Sequence, residues 1–137
     1  MLQSNGLVYG IAIPKRILEA QEIFKQVFEE LKTENAQIPI EERTQKESDL
    51  RASAHNETLE ALANKATQVL ITFDPPRTRA RHKIAVFSLD GRRMHSCLVL
   101  KRDVDPHTAT SLFTEEELEQ IYTAIGYRRA PKVYQVA

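Results

Sequence analysis

The sequence predicts an α+β fold, and two observations carry the prediction. Apolar residues recur at the 3.6-residue period of an amphipathic helix in three segments, and short runs rich in β-branched and aromatic residues lie between them. The segments follow the order β-α-α-β-β-β-α-β. We therefore expect a mainly antiparallel sheet with three helices packed on it as a single pair of layers.

The N-terminal part predicts a strand followed by one long helix. Residues 7–13 are aliphatic and aromatic, and Pro14 suits the first position of a helix, where no amide hydrogen is needed. From Lys15 to about Lys32 an apolar stripe recurs every three or four residues, which predicts a continuous helix. Residues 33–43 break this period and contain a proline, so we expect a loop there.

A second helix is predicted over about residues 44–66. Thr44 and Glu47 have the spacing of a capping box, and leucine and alanine residues then recur on one face. The following segment, Thr67–Phe73, is rich in β-branched residues and predicts a strand. The prolines at 75 and 76 would end that strand, because proline has no amide donor for a sheet.

The strongest local signal is a β-hairpin. Lys83–Leu89 and Arg92–Leu100 have strand composition and flank Asp90-Gly91, a pair typical of two-residue hairpin turns. Both faces of these strands carry large apolar residues. We therefore expect both faces to be covered, by helices or by a second subunit.

The C-terminal part predicts a third helix and an edge strand. Thr114 and Glu117 form a capping box, and Gly126 suits the position just after the helix end. After Pro131, residues 132–136 have the composition of a short strand at the edge of the sheet.

Length and composition favour a single α+β domain over residues 1–137. With 42% hydrophobic and 28% charged residues, the chain can bury a core without metal or disulfide support. Its one cysteine, Cys97, cannot form an internal disulfide, and we find neither a leader-like segment nor an apolar run long enough to span a membrane. We expect a cytoplasmic protein without membrane association.

Charge is distributed unevenly along this formally neutral chain. Residues 1–74 hold eight Lys and Arg against twelve Asp and Glu, whereas residues 75–137 hold eleven against seven. From position 77 to position 102 one acid accompanies eight basic residues: Arg77, Arg79, Arg81, Lys83, Arg92, Arg93, Lys101 and Arg102. In an extended chain the first three would project to one side about 6.6–7 Å apart, close to the phosphate spacing of a nucleic-acid strand.

These eight residues predict a small non-catalytic regulatory or accessory domain that binds nucleic acid by phosphate contacts. An acidic protein partner would suit the same charges. One alternative is a protein-interaction or structural module, such as a homodimer, in which the basic residues form a solvated sheet edge or pair with the acidic helices. A second alternative is a small metal-dependent hydrolase or nuclease built on Asp74, Asp90 and Lys83.

Other candidate chemistry is sparse. His82, His95 and Cys97 can approach one another across the hairpin, but their spacing is irregular, and Cys97 is better read as a small buried apolar residue. The four glycines are isolated, so no glycine-rich phosphate loop is present. We expect no cofactor, no metal site and no catalytic residue.

Overall fold

The computed structural model describes the backbone of residues 6–73, 85–89 and 93–135, and the side chains of residues 6–73 and 96–135. The α+β class is confirmed. Four strands form one antiparallel sheet in the order β2-β3-β1-β4, where the strands are β1 (Leu7–Ala12), β2 (Ala85–Leu89), β3 (Arg93–Arg102) and β4 (Lys132–Gln135). Within the described residues four helices accompany it: α1 (Lys15–Glu19), α2 (Glu22–Ala36), α3 (Glu47–Thr72) and α4 (Glu115–Ile125).

The predicted hairpin is confirmed as the pair of β2 and β3. Its register runs from Ala85 opposite Cys97 to Leu89 opposite Arg93. The predicted turn, Asp90-Gly91, lies outside the described residues. The predicted C-terminal strand is also confirmed, and as β4 it pairs with β1 at one edge of the sheet.

The prediction of one continuous helix from Lys15 to Lys32 is wrong. The chain leaves the helical conformation at Gln21, which is extended with φ −73° and ψ 141°, and α2 begins at the next residue. The break has a packing reason. Leu18 of α1 belongs to the main core, whereas Phe24 and Phe28 of α2 belong to a separate cluster, so the two parts of the apolar stripe face different neighbours.

The prediction of a strand over Thr67–Phe73 is also wrong, because α3 continues to Thr72. Ala66, Leu70 and Phe73 keep the spacing of three to four residues and are buried against the sheet. The hydroxyl of Thr67 donates to the carbonyl of Ala63 at 2.8 Å, as the helix geometry allows. Burial of this stripe outweighs the local β preference of the β-branched residues.

The start of α3 differs from the predicted Thr44 cap. The residue preceding the helix is Lys46, whose amide donates to the Asp49 carboxylate at 3.0 Å. Helix α4, by contrast, begins as predicted: the amide of Glu117 donates to the Thr114 hydroxyl at 3.1 Å, and the amide of Thr114 donates to the Glu117 carboxylate at 2.9 Å. Gly126 ends α4 with a left-handed φ of 69°.

The main core lies between the sheet and helices α3 and α4. The C-terminal half of α3 supplies most of its helical side chains, and β1 and β3 supply the sheet side. Its members from these four elements include Tyr9, Ile11, Leu59, Leu62, Ala66, Leu70, Leu98, Leu100, Ile121 and Ile125.

A second apolar cluster lies on the opposite face of the sheet. It consists of Val8, Ala12, Cys97, Val99 and Tyr134, which are all buried. The edge strands β2 and β4 contact each other, which indicates that the sheet curls around this cluster. From Cys97 to Leu100 both faces of β3 are therefore buried within one chain, as predicted, and no second subunit is required for this burial.

Helix α2 and the N-terminal half of α3 form a helical hairpin, residues 22–55, which we call the arm. Its contacts are made by Phe24 and Phe28 with Leu50 and Ala54, a third cluster separate from the main core. The rest of α3 packs on the sheet. The N-terminal half of α3, about 13 residues, spans roughly 20 Å, so the end of the arm lies away from the main core.

Candidate nucleic-acid interface

Strand β3 carries the described part of the predicted basic surface. Arg93 is its first residue, and Lys101 and Arg102 are its last two. A strand of this length separates its ends by roughly 30 Å. The three positions therefore form a line along one strand rather than one compact patch.

Lys101 and Arg102 are both exposed at the end of β3. The register places Lys101 opposite Tyr9 and Arg102 opposite Val8, just beyond a β-bulge where β1 steps from Tyr9 to Gly10. The strand ends at Arg102, and the next residue, Asp103, has φ 54° and donates its amide hydrogen to the Leu7 carbonyl at 2.8 Å. Tyr9 belongs to the main core and Val8 to the cluster on the opposite face, so Lys101 and Arg102 lie at the same border of the sheet but project to opposite faces.

The other predicted site residues cannot be placed beside these two. Arg77, Arg79, Arg81, Lys83 and Arg92 lie outside the described residues, and Arg93 is described by its backbone alone. Asp74, Asp90 and His82 lie outside them as well. The gathering of the eight basic residues on one face therefore stays a prediction.

Several carboxylates on the helices form ion pairs with basic side chains other than Lys101 and Arg102. Glu19 accepts a hydrogen bond from Arg51 at 2.9 Å, and its Oε1 lies 3.1 Å from His55 Nε2. Glu29 pairs with Lys32 at 2.8 Å, Glu47 lies 3.9 Å from Arg51, and Glu119 pairs with Arg128. Within the described ranges, no carboxylate forms an ion pair with Lys101 or Arg102. The described carboxylates therefore leave these two cations of the predicted basic surface unneutralised.

Lys132 adds a third described cation to the sheet. It is exposed on β4 and lies opposite Gly10, which in turn lies opposite Val99 of β3. Two strand spacings, about 10 Å, separate β4 from β3. Arg128 does not join this group, because its guanidinium lies 5.1 Å from the Tyr122 ring centroid and pairs with Glu119.

The chain path attaches the arm near the end of β1 that is remote from Lys101 and Arg102. β1 runs from Leu7, beside the end of β3, to Ala12, and α1 follows directly. The last residue of α1, Glu19, contacts Arg51 and His55 in the arm. The arm therefore extends from the end of β1 that is remote from Lys101 and Arg102.

Cys97 has no reactive role in this geometry. It is fully buried among Val8, Ala12, Val99 and Tyr134, and desolvation by this burial raises the pKa of its thiol far above the usual value. A thiolate is the nucleophilic and metal-binding form, and burial disfavours it. The reading of Cys97 as a small buried apolar residue is confirmed.

No metal site is found in the described part of the chain, where no three His, Cys, Asp or Glu side chains gather closely enough to hold an ion. The helices in these ranges include none that is both long enough and apolar enough to cross a membrane. These residues therefore add no support to the metal-dependent alternative.

The polar cluster that joins α1 to the arm was not predicted from the sequence. Glu19, Arg51 and His55 meet there beside an open groove of about 460 Å³, which Lys15 and Ser48 help to line. The His55 ring also stacks on Phe24, with centroids 5.1 Å apart. Glu19 and His55 are 36 residues apart in sequence, so no local spacing could reveal their contact.

Comparison with known proteins identified no relative of this chain. No known family, curated protein or solved structure matches this chain.

Proposed function

We propose that this protein binds nucleic acid through phosphate contacts along β3 and its flanking segments. The observation that carries the proposal is the exposed Lys101–Arg102 pair, which ends a run of eight basic residues and forms no ion pair with a described carboxylate. Cations held on a rigid strand bind the phosphate backbone without reading its sequence. The protein acts in this proposal as a non-catalytic accessory domain.

The linear arrangement favours an extended ligand. Arg93 and Arg102 lie roughly 30 Å apart along β3, whereas a mononucleotide would reach only one end of such a line. The acidic arm is attached at the end of β1 remote from Lys101 and Arg102, so it would repel an approaching polyanion from that end.

The test is binding of a fluorescent oligothymidylate of about 20 nucleotides, beside a duplex of equal length, at low salt. We expect Lys101→Glu/Arg102→Glu to weaken binding about tenfold or more, because two phosphate contacts become repulsive. The matched control is Arg16→Glu/Lys25→Glu, which changes the net charge equally at exposed helical positions. An equal loss in both variants, or no binding by the unaltered protein, would overturn the proposal.

A second candidate function, a protein-interaction module, is favoured by one observation. Ile38 and Ile40 are exposed at the end of the arm, with 41% and 76% of their surface accessible. Exposed isoleucines on an ordered turn are a common feature of protein contacts. In this case the oligonucleotides would not bind at low salt, and the arm would carry the function.

A further inference from the structure

The two faces of the sheet differ in charge. Lys101 lies on the helical side, because it is opposite Tyr9, a member of the main core. Helix α4 packs on the same side through Ile121 and Ile125, and four of its first five residues are glutamates. Because like charges repel, these carboxylates disfavour a phosphate backbone on the helical side.

Arg102 and Lys132 share the other face of the sheet. Arg102 lies opposite Val8 on β1, and Val8 lies opposite Tyr134 on β4. Val8 and Tyr134 both belong to the second apolar cluster, and Lys132 precedes Tyr134 by two residues, so its side chain projects to the same side. We call this side the Arg102 face. Both cations are exposed on it.

The spacing of these two cations suits one phosphate backbone. Two strand spacings and two residues along β4 separate the Cα atoms of Arg102 and Lys132, which amounts to roughly 12 Å. This is about twice the distance between neighbouring phosphates of an extended strand. No described carboxylate forms an ion pair with either cation, and the strand residues whose side chains are described on this face include no acid.

Arg129 adds a third cation near the Arg102 face. Burial raises the pKa of the Tyr134 hydroxyl, and the Arg129 guanidinium lies near enough to oppose part of this rise. Arg129 is half-buried, and no described carboxylate pairs with it. Its neighbour Arg128 is different, because it pairs with Glu119 of α4.

We propose that a single-stranded nucleic acid crosses the sheet on the Arg102 face, where Lys132 and Arg129 bind phosphates beyond the one bound by Arg102. This inference rests on the proposed function and adds to it the path of the ligand and two residues outside the predicted run of eight. Lys101 reaches the backbone at the border of the sheet, from the other side. A single strand suits this path, because the sheet curls and a flexible strand follows a curved surface that a stiff duplex cannot.

The experiment measures the salt dependence of binding to the fluorescent oligothymidylate for single substitutions. We expect Lys132→Gln to make the slope of log K against log salt shallower by about 0.7, because one phosphate contact is lost. The matched control is Lys65→Gln, the same substitution at an exposed position of α3 in the helical layer. It leaves the slope unchanged.

Backbone amide resonances locate the ligand without any substitution. When isotope-labelled protein is titrated with the oligothymidylate, the NMR resonances of Arg102, Lys132 and Tyr134 shift. Those of Ile121 and Ile125 in α4 stay in place, because the strand does not pass over the helical side.

Two results would overturn this inference and leave the proposed function standing. They are an unchanged slope for Lys132→Gln although the unaltered protein binds, and amide shifts confined to Lys101 and α4. Tighter binding of a duplex of equal length than of the oligothymidylate would contradict the single-stranded path. Absence of binding by the unaltered protein would overturn the inference and the proposed function together.

Discussion

Gly10 lies where the backbone of β1 passes close to β3. A Cβ atom at this position would overlap the carbonyl oxygen of Leu98 and would lie 2.7 Å from the Cys97 sulfur. The strand steps past a β-bulge at the same place. In the sequence Gly10 looks like any residue of a short strand, because the contact depends on a partner strand almost ninety residues away.

We expect Gly10→Ala to lower the free energy of unfolding by about 1–3 kcal/mol, because a backbone carbonyl cannot move aside as a flexible side chain does. Urea denaturation measures the change. Ser53→Ala, an exposed helical substitution, serves as the control and should stay within about 0.5 kcal/mol of the unaltered protein. An unchanged midpoint for Gly10→Ala would show that the strands separate at little cost.

Glu19 connects α1 to the arm by charge. The hydrogen bond from Arg51, with a further contribution from His55, holds the pKa of the Glu19 carboxyl below its ordinary value of 4.5. A carboxyl with a lowered pKa in the folded state stabilises the fold above its unfolded pKa, and this stabilisation disappears as the pH falls through the folded pKa. The side chain is 35% exposed, so solvent screens much of the interaction.

The expected result is a small stability difference between the unaltered protein and Glu19→Gln, below about 1 kcal/mol at neutral pH. The difference should shrink as the pH falls from about 4.5 through the lower pKa of the folded state, because protonation of the folded Glu19 carboxyl removes its charge. Urea denaturation at about pH 7 and pH 3 measures it. A difference that is equal at both pH values would contradict the electrostatic explanation.

Among the elements, α4 was predicted best because its signals are local. Its capping box and its terminal glycine are visible within a dozen residues of sequence, and the structure confirms both ends. Helix α3 was predicted less well. Its last turns have β-branched residues, and only the burial of Leu70 and Phe73 against a distant sheet decides their conformation.

The break between α1 and α2 escaped prediction for a similar reason. The apolar period continues through Ala20 and Gln21 without interruption, so the sequence alone favours one helix. The helix is divided because its two parts are buried in different clusters. The main core holds α1 with the C-terminal half of α3, whereas α2 packs against the N-terminal half of α3.

The capping box of α4 gives the clearest prediction for an element. Thr114→Ala should cost about 0.5–2 kcal/mol, because the amide of Glu117 loses its hydrogen-bond acceptor. Thermal unfolding followed by circular dichroism measures the loss. Thr114→Ser keeps the hydroxyl and should retain most of the stability, and equal effects of the two substitutions would show that the cap contributes little.

For the whole molecule, the sequence predicted that acidic and basic residues are concentrated in different parts of the chain. Residues 34–49 at the end of the arm hold five acidic and two basic residues, and Lys101 and Arg102 are exposed at the end of β3. The arm itself was not predicted, because its protrusion follows from the length of α3 beyond the sheet. Of the eight predicted site residues, the structure describes the side chains of Lys101 and Arg102, and both are exposed as a phosphate contact requires.

The most direct test of the central claim is the salt dependence of oligonucleotide binding. Each phosphate contact contributes about −0.7 to the slope of log K against log salt for a single strand. For the unaltered protein we predict a steep linear decrease, and for Lys101→Gln/Arg102→Gln a slope shallower by about 1.4. A slope that is the same in both proteins would contradict the assignment of these two residues to phosphate, and a slope near zero would contradict nucleic-acid binding through this surface.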